Sequence, residues 1–278
     1  MKPFLVATFL LGLIGLGRAE SQDNLIVDQR DYADSNDACG PASILNCLKF
    51  SRPEFREIYG GLLGSDDGVK MRFVHDRYFR LRDSVVYLGQ RRWGIHVVAT
   101  ADLVAGMNVV AGMNELLLDR GAGELSGAYL DRAEGKASLE FAKRIHGMMR
   151  RSVERGVSPI LSLRAFYVRQ QEDKDGQPAW ETGPHHNVVV TTVGDFQASS
   201  GFMLTALDPR EGREIAIYLY REGAQSFRAL KGVEPGGEWL NGRSFLVAAA
   251  PEAITLQPGK LEWHERFVIV ANFLIGDF

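Results

Sequence analysis

Cysteine is scarce in this chain of 278 residues: only Cys39 and Cys47 occur. Two thiols cannot staple a small disulfide scaffold, and a chain this long buries a core that needs no staples. Both cysteines fall in the run Cys39-Gly40-Pro41-Ala42-Ser43-Ile44-Leu45-Asn46-Cys47-Leu48, which reads as a helix with a proline in its first turn. Eight helical steps of 1.5 Å then put their Cα atoms roughly 12 Å apart, beyond the roughly 7 Å that a disulfide spans. The two thiols are expected to stay unpaired.

Long apolar runs are missing as well. The one from Phe4 to Leu16 is about 13 residues, short of the roughly 20 that cross a bilayer. With Lys2 before it and Gly17-Arg18-Ala19 after it, residues 1–19 read as a secretory signal peptide. The expectation is a secreted or periplasmic protein whose mature part begins near Glu20 and carries no membrane segment. Basic charge is also in deficit, with 32 Lys and Arg against 35 Asp and Glu, and loss of Lys2 and Arg18 widens the deficit. Nucleic acid is therefore not an expected partner. No linker rich in Pro, Ser or Gly divides residues 20–278, which are expected to form one domain.

Periodicity outlines the second half of the chain. Phe141, Ile145, Met148, Met149 and Ser152 recur at helical spacing between a capping Ser138 and Gly156. Strand-like runs follow at Ser158 to Val168, Asn187 to Val193, Phe202 to Leu207, Glu214 to Tyr220, Phe245 to Ala249 and Arg266 to Ile275. They predict a mostly antiparallel sheet, its first two strands joined through a long polar tip at Gln170 to Pro184. Leu25-Ile26-Val27 reads as a short edge strand. Within residues 51–135 there is an apolar run at Val85 to Leu88, and Gly94 to Thr100 reads as a further short strand; the rest is left unassigned, since the echo of Ala105-Gly106-Met107-Asn108 in Ala111-Gly112-Met113-Asn114 has a six-residue period that fits neither helix nor strand.

Cys39 carries the first chemical signal. A helix start presents unpaired N–H groups and the positive end of the helix dipole, which favour a thiolate there. The alternative is a buried cysteine acting as a small hydrophobe, which suits Cys47 among Ile44, Leu45 and Leu48. A thiol nucleophile needs a base, and histidine suits both proton removal and proton return. His75, His96, His146 and His264 stand singly and read as structural. His185-His186 opens a strand, whose alternation sends the two imidazoles to opposite faces, so only one is expected to reach Cys39. For the same reason the pair makes a poor zinc site. Leu207-Asp208-Pro209 then offers a carboxylate, at the end of the next strand, to hold the imidazole; a plain Asp-Pro turn is the alternative.

Three segments resemble the papain-fold cysteine peptidases related to the bacteriocin, or double-glycine, leader peptidases: Asp37-Ala38-Cys39-Gly40-Pro41-Ala42-Ser43, His186-Asn187-Val188-Val189-Val190, and Leu207-Asp208-Pro209. The resemblance implies an α+β papain-like fold, with a helix bearing Cys39 packed on an antiparallel sheet bearing His186 and Asp208. It implies Cys39 as nucleophile, His186 as general base, Asp208 as its orienting partner, and Gln29 as the oxyanion-hole side chain. A peptide or protein substrate is expected, and no cofactor or metal. Export and the lack of a transporter segment set the chain apart from the leader peptidases, so their substrate is not carried over. Transglutaminase-like or cell-wall amidase chemistry would use the same triad, and an inert binding protein could retain it.

Overall fold

The computed structural model describes residues 26–32, 38–79, 101–132, 139–172, 178–197, 201–221, 244–249 and 267–278. The signal-like segment, Ser138, the runs Val85 to Leu88 and Gly94 to Thr100, and the tip at 173–177 lie outside them. Helices come first: α1 (Cys39–Phe50), α2 (Pro53–Gly60), α3 (Asp67–Val74) continued by a π turn at His75–Phe79, α4 (Ala101–Asp119), and α5 (Leu139–Glu154). Strands β1 (Ser126–Tyr129) and β2 (Asp131–Arg132) separate α4 from α5; β3 (Ile160–Glu172), β4 (Pro178–Val193), β5 (Gly201–Asp208), β6 (Arg213–Arg221), β7 (Ser244–Ala249) and β8 (Phe267–Gly276) complete the chain. No helix among the described residues is long and apolar enough to cross a membrane.

The sheet is antiparallel throughout and runs β3-β4-β5-β6-β7-β8, and β8 then returns to pair with β3. Six strands thereby close into a barrel. This corrects the papain-like arrangement of a helix on a sheet expected from the resemblance. The physical cause lies in β8, which is buried on both faces from Ile269 to Ile275. Its long ladder with β3 runs from Phe267 to Ile275, while Val270 and Ala271 on its other edge pair with Val247 and Leu246 of β7. A sheet whose last strand pairs on both sides has no edge left in that region. Register shifts in β3 against β8 and in β4 against both β3 and β5 supply the bends that closure requires.

Strand alternation divides the apolar side chains between two cores. Leu161, Leu163, Val188, Val190, Leu204, Ala206, Ile217 and Leu219 pack together with Phe141, Ile145 and Met149 of α5. Ile160, Val189, Leu207 and Ile275, on the opposite strand faces, pack with α1 to α4. The apolar stripe of α5 matches its predicted spacing, and its end is a Schellman turn: Gly156 has φ +75°, Gly156 N–H donates to Val153 O and Val157 N–H to Ser152 O.

The strands β3 and β4 run well past their predicted ends, taking up most of the stretch read as a loop. α4 was not foreseen; its buried Val109, Val110, Met113, Leu116 and Leu117 have helical spacing, which the tetrapeptide echo obscured. Ile26 and Val27 form no strand. Instead the Asn46 side chain of α1 binds both polar groups of Val27, accepting from its N–H at 2.8 Å and donating to its carbonyl at 3.0 Å. The segment is satisfied by a helix side chain where a sheet edge was expected.

Helix α1 is the hub. Every residue from Cys39 to Leu48 is buried, because the helix lies between β3 and β4 on one side and α2, α3 and α4 on the others. A helix apolar nearly all round is suited to that position.

Candidate active site

Cys39 is the first residue of α1, and Ala38 before it supplies no side-chain cap. The open first-turn N–H groups and the dipole therefore act near the sulfur. Gly40 sits in a tight space: a Cβ there would stand 3.1 Å from Cε1 of Phe79 in the π turn and 3.4 Å from Cγ2 of Val109 in α4. The helical region thus presses directly against the residue that follows the thiol. Cys39 and Cys47 are both free.

Three consecutive residues of β4 meet Cys39. His186 uses Nε2 to bind Oδ1 of Asp208 at 2.7 Å, so its Nδ1 is the ring atom left for the sulfur. Asp208 is fully buried at the end of β5. Its Oδ1 also accepts from the N–H of Arg210 at 2.8 Å, which fixes the carboxylate across the turn at Pro209. Among the described residues, Oδ2 of Asp208 is buried without a hydrogen-bond partner. Asn187 donates from Nδ2 to Sγ of Cys39 at 3.6 Å, and its backbone carbonyl accepts from Oγ of Ser43, one turn along α1, at 3.1 Å.

His185, next to His186 on β4, also contributes to lowering the Cys39 thiol, where strand alternation predicts that only one imidazole reaches the sulfur. In β4 four residues, Thr182 to His185, stand against three in β3, Arg164 to Phe166. This bulge at Gly183-Pro184 lies just before the histidines and increases the local twist there.

The electrostatics follow from this crowding. Burial pushes the Cys39 thiol up, but hydrogen bonds and positive charge from His185 and His186 more than offset it and bring it down to about 6. Burial pulls His186 down, and the Asp208 carboxylate together with the Cys39 sulfur overcomes this and holds it at about 9. Both shifts favour a thiolate beside an imidazolium. The Cys47 sulfur lies 3.9 Å from Oγ of Ser51, and burial pushes the thiol up to about 12.

Gln29 lies in a short 3-10 turn, Gln29–Asp31. Its N–H donates to the carbonyl of Pro209 at 2.7 Å, which places its backbone beside the Asp208 turn. Asn187 was missed, because an asparagine just ahead of an apolar run carries no signal of what packs over it. His185 did have a signal, its adjacency to His186. Among the single histidines, His146 is structural: its Nε2 meets the carbonyl of Gly194 at 2.9 Å, and its ring packs edge-on against Phe196 and Phe202. No three or more His, Cys, Asp or Glu residues are grouped to hold a metal ion among the described residues. Comparison with family models, with curated proteins and with solved structures gives no match for this chain.

Proposed function

We propose that this chain is a thiol hydrolase that cleaves a peptide or related amide bond through an acyl-enzyme on Cys39. The observation that carries the reading is the buried chain of contacts from Asp208 through His186 to a thiol brought down to about 6. A nucleophile with its acid-base partner and an orienting carboxylate is the arrangement acyl transfer needs.

In this reading the Cys39 thiolate attacks the amide carbon and the carbonyl becomes an oxyanion. The backbone N–H of Cys39 and the Gln29 amide stabilise it. As the C–N bond breaks, His186 gives its proton to the leaving amine, and a thioester remains on Cys39. Water then attacks the thioester and yields its proton to His186. The acid departs, and thiolate and imidazolium are restored. Asp208 holds the ring at Nε2 and offsets its positive charge throughout.

The test is labelling by a thiol-directed electrophile at pH 6 to 7 together with hydrolysis of a peptide and amide panel. Labelling at Cys39 and not Cys47, with turnover lost in Cys39→Ala and His186→Ala, is expected. A reactive Cys39 without turnover of any amide would point to a binding role, and product capture by an added amine would point to transfer. The signal-like residues 1–19 support work outside the cytoplasm; an intact mass of exported protein that retains them would refute that part.

A further inference from the structure

We propose that Asn187 is a further member of this site: its amide holds the Cys39 sulfur in the thiolate form and sets its position against the barrel. The proposal rests on the thiol hydrolase reading for its catalytic meaning, but not for its test.

Two contacts made by one buried residue carry it. Nδ2 of Asn187 donates to Sγ of Cys39 at 3.6 Å, and the carbonyl of Asn187 accepts from Oγ of Ser43 at 3.1 Å. Asn187 is 2% exposed and Ser43 is fully buried, so water does not substitute for either partner. Cys39 and Ser43 are four residues apart on α1 and therefore share a helix face. That face is docked on β4 at a single residue, through its side chain and its backbone at once. In β3 the residue across from Asn187 is Ser162, also buried, so the strand beneath is held in register.

The chemistry favours a primary amide here. An N–H donor stabilises a sulfur anion more than a thiol, because a hydrogen bond to a charged acceptor is roughly twice as strong as one between neutral groups. Unlike an imidazolium, the amide never gives up its proton. The sulfur therefore keeps one donor while His186 cycles between its two forms. The histidines supply charge; Asn187 supplies a fixed direction.

Among the described residues, the ionisable groups on the elements packed around the sulfur include the buried Arg164 of β3, which lies across from His185. His185 and His186 on β4 act on it directly, and Asp208 on β5 acts through His186. On α1 the other ionisable groups are Cys47 and Lys49, two turns away. Beside Gly40 the neighbours are the apolar Phe79 and Val109. None of these is altered by substituting Asn187.

The experiment measures the rate of Cys39 alkylation against pH in full-length mature protein, for the wild type, Asn187→Leu and Asn187→Asp, with Ser43→Ala as the variant that keeps the amide. A donor to a charged group contributes on the scale of one to two pH units. Asn187→Leu is expected to move the alkylation midpoint up by roughly one to two pH units, and Asn187→Asp further, because a carboxylate repels the thiolate. Ser43→Ala should leave the midpoint within about half a unit. Where Asn187→Leu fails to fold, Asn187→Asp, which matches the native shape, decides. A folded Asn187 variant with the wild-type midpoint overturns the proposal. A wild-type Cys39 that titrates like an ordinary thiol, at about 8.5, instead overturns the hydrolase reading on which it builds.

Discussion

Asp208→Asn is the substitution that most directly probes the site. The side chain keeps its shape, and its carbonyl oxygen can still accept from Arg210 N–H, so the turn at Pro209 should survive. What disappears is the negative charge 2.7 Å from Nε2 of His186. His186 stands at about 9 although burial pulls it down; a solvated histidine titrates at about 6.5. The rise favours the imidazolium, with Asp208 the larger contributor and the Cys39 sulfur the smaller. Activity in the wild type should rise as the pH passes about 6, where the thiol ionises, and fall as it passes about 9, where His186 loses the proton it must give to the leaving group. In Asp208→Asn the upper limb should move down by at least one to two pH units and the lower limb should move up, because a neutral His186 no longer supports the thiolate. The plateau narrows from both sides. At pH 8 the loss in kcat/KM should be on the order of 10²-fold or more. The assay is a pH–rate profile with thermal unfolding as a control. A folded variant whose upper limb stays near 9 would refute the assignment of Asp208 as the partner that charges His186.

The two histidines should separate by readout: His186→Ala abolishes turnover, whereas His185→Ala retains most of it but shifts the Cys39 alkylation midpoint upward, since one of two donors to the sulfur is gone. An unchanged midpoint in His185→Ala would show that this ring does not act on Cys39. Gln29→Ala should lower kcat by roughly 10²-fold while the alkylation profile stays where it is, because an oxyanion donor acts on charge that exists only in the transition state; an unaffected kcat assigns Gln29 to the Pro209 turn alone. Asn46→Leu strands the buried N–H and carbonyl of Val27 and should cost about 2 to 5 kcal/mol of stability, measured by denaturant unfolding, with no change in Cys39 labelling of the folded fraction. A loss below about 0.5 kcal/mol would mean that Val27 finds other partners.

Local pattern was enough for much of this protein. Six strands alternate or run apolar, and the stripe on α5 together with Gly156 marks a helix and its end. The placement of Cys39 at a helix start, of the histidine pair at a strand and of Asp208 before Pro209 was likewise legible, because each is set by residues within one or two turns. Closure was not legible. Whether β8 ends a sheet or pairs on both edges depends on partners more than a hundred residues away, and its apolar sequence suits either. His185 and His186 pair in regular register beyond the bulge at Gly183-Pro184, so what each imidazole meets depended on the elements packed over β4. Asn187 shows the limit most plainly: an amide in a strand has no direction until a helix from the other end of the chain is laid over it. Residue types and local geometry determined which groups were available, and only long-range packing decided which of them share an atom.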